Sequence, residues 1–278
     1  MVILFTDLDG SLLDESTYSS DPAREALHRI RELGLPLVFC TSKTRAEVEY
    51  WRATLDNRHP FIVENGGALY VPDGCFPPDF GAPARRDAYA VFEFGTPYND
   101  LVDTLHRASQ DTGCRVRGFR DMSAEEVSRR YGLSFEQARL AKIREYDEPF
   151  EILDPPGTEL LAAIECRGRR WTRGGRLHHI TGHANTADSV CLLTRHYRRT
   201  FDNIITVGLG DGMNDLDFLS CVDIPVVIRS KIASKLRSAL PHARVTALPG
   251  PEGWNRSVLE ILEQHTERVG WASKGKVE

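Results

Sequence analysis

Apolar runs and amphipathic stretches alternate over residues 2–70, and this alternation constrains the fold more than any other feature of the chain. Residues 2–5 form a short apolar run that predicts a strand. Residues 22–33 place Ala26, Leu27, Ile30 and Leu33 on one helical face and stop at Gly34, and residues 37–40 predict a second buried strand. A helix from about residue 44 to 55 leads to a third strand at residues 61–63. Strand and helix alternating in this way predict an α/β, Rossmann-like parallel sheet with right-handed crossovers. The texture returns late, with a helix at 186–199, a strand at 204–207, a Gly/Asp-rich loop and a short helix from Asn214. A strand at 225–228 and a closing helix at 253–268 complete it.

Between these stretches the character changes. Residues 72–83 are rich in Pro, Gly and Asp and read as a connector. Residues 88–94 and 161–165 predict strands, and residues 98–110 and 134–145 predict helices. We read residues 81–185 as an α+β cap inserted into one α/β core made of residues 1–80 and 186–278. The turn-rich segments at 77–83 and 181–184 flank that insertion and are the expected hinges.

Net charge is −5 with a pI near 6.0, which argues against a nucleic-acid-coating protein. No apolar run approaches the eighteen or so residues of a membrane span. Met1 leads directly into the first apolar run with no basic stretch, so no secretory signal and a cytoplasmic location are expected. The six cysteines are scattered without a C-x-x-C pair, and reduced, mostly buried thiols are expected. Arginine outnumbers lysine 29 to 6, and its planar fork suits carboxylates and phosphates.

The chemistry concentrates where the predicted strands end. Asp7-Leu8-Asp9-Gly10 follows the first strand, and Gly210-Asp211-Gly212-Met213-Asn214-Asp215 follows the strand near 204–207. Ligands of open α/β sheets collect at such carboxyl ends. Carboxylates two residues apart on extended backbone can face one crevice, and an all-oxygen set suits a hard cation such as Mg²⁺. Asp-x-Asp-Gly does not continue into the EF-hand ligand pattern, and a strand rather than a helix precedes it. Thr41 ends the second strand, where its hydroxyl and the nearby N–H groups can cradle a phosphate at a helix start. Each motif alone is as readily a turn former or a helix cap; three compatible strand ends together are not.

This combination resembles the haloacid dehalogenase-like phosphatases, and the long insertion resembles the larger α+β cap of their sugar-phosphatase branch. The resemblance implies that Asp7 is a nucleophile forming an aspartyl-phosphate. It also implies that Asp9 protonates the leaving alkoxide and then activates water. Mg²⁺ would be held by Asp7, the backbone carbonyl of Asp9, Asp211 and Asp215. The family also supplies a lysine ahead of the helix before the last motif, yet residues 167–199 contain none. Lys43, Arg173 or Arg176 are the candidates for that charge.

Within the superfamily the chain resembles the mannosyl-3-phosphoglycerate phosphatases. The matching stretches are Thr41-Ser42-Lys43-Thr44-Arg45 with Glu47, residues 62–68 around Glu64-Asn65-Gly66, residues 141–150, and Arg176-Leu177-His178-His179. The implied partner is a small phosphorylated glycoside, with no nucleic acid and no membrane. Its phosphate and carboxylate call for cationic forks, and its hydroxyls for amides or carboxylates. Arg167, Arg170, Arg173 and Arg176 are candidate forks, Glu64 and Asn65 candidate hydroxyl partners, and Ser42 and Asn214 further substrate contacts. His178 and His179 alternate along a strand, so at most one faces the cleft, and core or surface positions are expected for both. A broader-range sugar-phosphate phosphatase and a non-catalytic sugar-phosphate sensor are the alternative readings.

Overall fold

The computed structural model describes residues 1–76, 84–174 and 177–266. The chain begins with β1 (Val2–Thr6), α1 (Arg24–Glu32), β2 (Leu37–Cys40), α2 (Arg45–Thr54), β3 (Phe61–Val63) and β4 (Ala68–Pro72), then β5 (Ala84–Arg86) and β6 (Tyr89–Glu93). After an excursion it returns through α7 (Thr186–Thr200), β11 (Ile205–Gly210), α8 (Leu216–Leu219), β12 (Ile224–Arg229), α9 (Ala233–Ala239), β13 (Arg244–Pro249) and α10 (Gly250–Thr266). Among the described residues these strands form one sheet in the order β13-β12-β11-β1-β2-β3-β4-β6-β5. The pairs from β13 to β3 are parallel, and those from β3 to β5 antiparallel. Helices on both faces bury the sheet in two apolar layers, one around Leu4, Phe39 and Trp254 and one around Phe5, Val38 and Leu193. β1 lies between β11 and β2, so the chain reverses its direction of strand addition there. That is where a doubly wound sheet opens a crevice at its carboxyl edge.

The excursion contains α3 (Tyr98–Thr112), β7 (Val116–Gly118), α4 (Ala124–Tyr131), α5 (Phe135–Ala141), β8 (Glu148–Ile152), α6 (Thr158–Cys166), β9 (Arg170–Gly174) and β10 (Leu177–Thr181). Its strands form a second antiparallel sheet in the order β7-β8-β10-β9. Leu101 and Leu105 of α3 and Leu160 and Ile164 of α6 pack on one face of it against Phe150 and Ile180.

Three expectations need correction. Residues 84–93, expected in the insertion, are hydrogen-bonded to β4 and extend the large sheet. The chain therefore leaves that sheet after Glu93. The hinge expected at 77–83 lies outside the described residues. The connections that do link the two sheets pass each other at Thr96 and Gly182, where a Cβ on Gly182 would meet Thr96 Oγ1 at 2.2 Å. Residues 161–165, expected as a strand, lie inside α6, because the buried Leu160 and Ile164 recur at the helical spacing of four. All six cysteines are free thiols, but only Cys40 is buried; Cys166 and Cys191 sit on the outer faces of their helices. Among the described residues no helix is long and apolar enough to cross a membrane.

Candidate active site

Three adjacent parallel strands, β11, β1 and β2, carry the site at one edge of the large sheet. The Asp7 N–H donates to Leu209 O at 2.9 Å, continuing the β1–β11 pairing one residue past the strand. Its carbonyl accepts from Thr6 Oγ1 at 2.8 Å, and Thr6 Oγ1 accepts in turn from the fully buried Trp254 Nε1 at 2.8 Å. A tryptophan from the last helix thus anchors the backbone of a residue at the start of the chain. Beyond Asp7 the chain turns tightly, with the Ser11 and Leu13 N–H groups both donating to Leu8 O. Gly10 has φ +76°, and a Cβ there would lie 2.6 Å from Asp211 Oδ2. Glycine is required both for the left-handed turn and for the approach of the second acidic loop.

Carboxylate oxygens of Asp7, Asp211 and Asp215 lie within 4.8 Å of one another. Asp215 is 2% exposed, and its Oδ2 accepts from the Asp211 and Gly212 N–H groups at 2.9 and 2.8 Å, which ties the loop to its own helix start. Asn214 Nδ2 donates to Asp215 Oδ1 at 3.3 Å, and Ser230 Oγ donates to Asp211 O at 2.9 Å. Burial, then repulsion from Asp215, Asp211 and Asp9, pushes the Asp7 carboxyl well above its ordinary range. Burial and Asp211 do the same to Asp215, while burial, Glu15 and Asp9 push Asp211 up to about 7. Three carboxyls that cannot comfortably ionise together are the donor set of a hard divalent cation, whose charge would remove that repulsion. Asp9 adds a further sign, because its Oδ1 is covered and has no hydrogen-bond partner.

Asp9 Oδ2 meets Lys43 Nζ at 2.8 Å, and Glu47 Oε1 lies 3.7 Å from the same nitrogen. Burial works against the ammonium, but Asp9 and Glu47 outweigh it and hold the Lys43 pKa above its ordinary value. Lys43 is therefore a buried cation beside Asp9, and it remains one of the three candidates for the charge of the absent lysine. Its backbone N–H donates to Thr41 Oγ1 at 3.2 Å, and the Thr44–Glu47 capping box starts α2 immediately after it. Thr41 is 4% exposed and stands beside the Asp7 strand end.

The substrate-binding candidates separate. Glu64 and Asn65 both take left-handed backbone, φ 49° and 55°, which turns their side chains toward the second sheet. Glu64 accepts from the N–H groups of Glu145 and Tyr146 at 2.7–3.1 Å, and Asn65 Nδ2 donates to Asp147 Oδ2 at 2.5 Å. Their polar atoms are thus spent on joining the two units rather than facing the crevice. Arg167 pairs with Asp111 and donates to Ala163 O. Arg173 stands opposite His178 in the β9–β10 register, on the face packed by α3 and α6. Arg170 lies on the other face and reaches Asp217 of α8 at 3.4 Å. Arg176 lies outside the described residues. Ser42 meets the second unit through its carbonyl, which accepts from Arg144 Nη1 at 3.0 Å.

Sequence reasoning missed the junction beneath these residues. Asp147 is fully buried and accepts from Arg144 Nη1 at 3.2 Å, from Asn65, and from His179 Nδ1 at 2.9 Å. Burial pushes the Asp147 carboxyl up, but His179, Arg144 and Asn65 together outweigh it and hold it below its ordinary value. The run Arg144-Glu145-Tyr146-Asp147 lies within the 141–150 stretch that resembles the family, yet its partners come from loops distant in sequence.

A family model described as haloacid dehalogenase-like hydrolase matches residues 4–74. A glucosyl-3-phosphoglycerate/mannosyl-3-phosphoglycerate phosphatase of Methanococcoides burtonii is 40% identical over 266 residues, covering 94% of this chain and 97% of the relative. A phosphatase of the same name from Persephonella marina is 37% identical, covering 95% and 98%. Among solved structures, a phosphatase of the haloalkanoate (HAD) enzyme superfamily from Bacteroides thetaiotaomicron superposes with a TM-score of 0.64 at 17% identity, covering 95% of this chain and 94% of that one, a likeness of fold. With aspartates at the ends of β1 and β11, a threonine at the end of β2 and relatives of this identity along nearly its whole length, the chain is a phosphoric monoester hydrolase of the haloacid dehalogenase-like class and belongs to the glucosyl-3-phosphoglycerate/mannosyl-3-phosphoglycerate phosphatase family.

Proposed function

We propose that this protein hydrolyses mannosyl-3-phosphoglycerate, and its glucosyl counterpart, to the glycosylglycerate and phosphate through an aspartyl-phosphate. The observation that carries the chemistry is the close set Asp7, Asp211 and Asp215 beside the Lys43–Asp9 pair. The names of the relatives carry the substrate.

An Asp7 carboxylate oxygen attacks phosphorus, and the bond from phosphorus to the glycerate oxygen breaks. Asp9 gives its proton to the departing alkoxide, then takes one from the water that attacks the aspartyl-phosphate, releasing phosphate and restoring Asp7. Lys43 Nζ, 2.8 Å from Asp9 Oδ2, stands where it can pair with the negative phosphoryl group as that group enters. Thr41, with the N–H groups at the start of α2, holds phosphoryl oxygens. Mg²⁺ held by Asp7, Asp211, Asp215 and the Asp9 carbonyl would shield the phosphoryl charge from the attacking carboxylate. The second sheet closes over the site through β9, where Arg170 meets Asp217, and this closure excludes stray water and reads the leaving group.

The test is Mg²⁺-dependent phosphate release from mannosyl-3-phosphoglycerate, glucosyl-3-phosphoglycerate, 3-phosphoglycerate and mannose 6-phosphate, with Asp7→Asn as blank. Turnover confined to the two glycosyl-phosphoglycerates is expected. Equal turnover of mannose 6-phosphate would replace the narrow substrate with a broad sugar-phosphate range.

A further inference from the structure

The second sheet turns one face of β9 and β10 toward the large sheet. Residues alternate across a strand, and paired residues share a face. Arg170, Thr172 and Gly174 therefore stand with their partners Thr181, His179 and Leu177 on the side where Arg170 reaches Asp217. Trp171 and Ile180 occupy the opposite face, in the apolar layer under α3 and α6.

His179 is 6% exposed, and among the described residues its hydrogen bonds run from Nδ1 to the Asp147 carboxylate, at 2.9 and 3.1 Å. Arg144 and Asn65 hold that carboxylate in turn, so the ring is fixed from below. Among the described residues Nε2 has no hydrogen-bond partner. It points to the gap over Gly174, 3.7 Å from where a Cβ would sit, and Asn214 Oδ1 of the aspartate loop lies the same distance from that point. A nearly buried imidazole with one nitrogen anchored and the other aimed beside the phosphatase loop is arranged to hold a ligand.

We propose that His179 is a substrate-binding residue of this enzyme: Nε2 holds the acidic end of the leaving group in the gap between Gly174 and Asn214, and Asp147 is the positioning residue that sets the ring. The proposal rests on the phosphatase reading above. His179 and Arg170 are the nitrogen-bearing side chains on that face, and Arg170 already has Asp217. The gap exists because residue 174 carries no side chain.

Two substitutions separate this role from a structural one. An Asn amide nitrogen falls near the place of Nδ1, and a Gln amide nitrogen near that of Nε2. His179→Asn keeps the Asp147 contact and loses the ligand contact, while His179→Gln does the reverse. With mannosyl-3-phosphoglycerate, His179→Asn is expected to raise KM about 10–100-fold with kcat near wild type, the loss of one hydrogen bond to a charged group. His179→Gln is expected to recover most of that loss. Turnover of p-nitrophenyl phosphate, which has no carboxylate, stays within about twofold in both. If His179→Asn binds mannosyl-3-phosphoglycerate like wild type, or if both variants lose Tm and activity on both esters equally, the proposal is overturned. If the wild type hydrolyses p-nitrophenyl phosphate but neither glycosyl-phosphoglycerate, the substrate reading fails on that result alone. The Asn/Gln contrast is then read on the carboxylate-bearing ester the wild type cleaves best, and equal KM in the two variants there rejects His179.

Discussion

Two clusters of buried charge stand out in this molecule, and they behave oppositely. At the edge of the large sheet, Asp7, Asp211 and Asp215 face one another and all are pushed up. At the junction of the two sheets, Asp147 is buried just as deeply, yet Arg144, His179 and Asn65 hold it below its ordinary value. Burial is common to both, so it is the partners that differ. At the junction the Asp147 carboxylate is fully partnered, and it ties the two sheets' loops together through Asn65, Arg144 and His179. The aspartate edge holds carboxyls that repel one another, a donor set that suits a hard cation.

The difference can be broken first at Asp7. Asp7→Asn should cut phosphate release by at least about 10⁴-fold, because it removes the attacking oxygen. Its Tm without divalent ion should equal or exceed that of wild type, since one of three repelling carboxyls is gone. A Tm loss there would make Asp7 a structural partner like Asp147. Arg144→Met attacks the other cluster. It leaves Asp147 and Glu64 buried without their guanidinium and should lower the unfolding free energy by about 3–5 kcal/mol in denaturant titrations. The folded fraction should still release phosphate from p-nitrophenyl phosphate; complete loss would merge the two clusters into one functional unit.

Divalent ions sharpen the contrast at a smaller scale. Mg²⁺ at about a hundred times its Kd should stabilise the wild type by about 2.7 kcal/mol, by mass action on the folded state. EDTA should reverse the gain, and Asp211→Asn should abolish it. A gain unaffected by Asp211→Asn would place the ion elsewhere.

The smallest effect concerns Glu148, which accepts from Arg120 N and Tyr98 OH and is pushed up to about 7 by burial. A carboxyl whose pKa is raised on folding contributes stability that is full below the unfolded value near 4.5 and lost as pH rises through about 7. Wild type should therefore lose about 1–2 kcal/mol relative to Glu148→Gln between pH 5 and pH 8. A constant difference over that range would show Glu148 ionised throughout.

What the sequence disclosed divides along the same line. Asp7, Thr41 and Asp211 stood out as candidates because each sits one step beyond a buried run, with Asp9 and Asp215 in the loops that follow, a local pattern that periodicity exposes. The second unit was poorly legible. Residues 161–165 look uniformly apolar, and only the burial of Leu160 and Ile164 on one side reveals a helix. The run at 84–93 joins the large sheet through pairing with β4, a contact set by distant residues rather than by composition. Arg167 and Arg173 looked like substrate forks because arginine count says nothing of strand face. His179 was set aside for the same reason, and the register with Thr172 is what turns it toward the core. Trp254 reaching Thr6 across 248 residues lies beyond any local pattern.

The central claim is that Asp7 carries the phosphoryl group in transit. The most direct test is acid quenching during turnover of mannosyl-3-phosphoglycerate with Mg²⁺, followed by mass analysis of the N-terminal peptide in wild type and Asp9→Asn. The account predicts one phosphoryl group on Asp7, accumulating further in Asp9→Asn because the water that removes it is no longer activated. Rapid phosphate release with an unmodified Asp7 at every quench time, in both proteins, would contradict it.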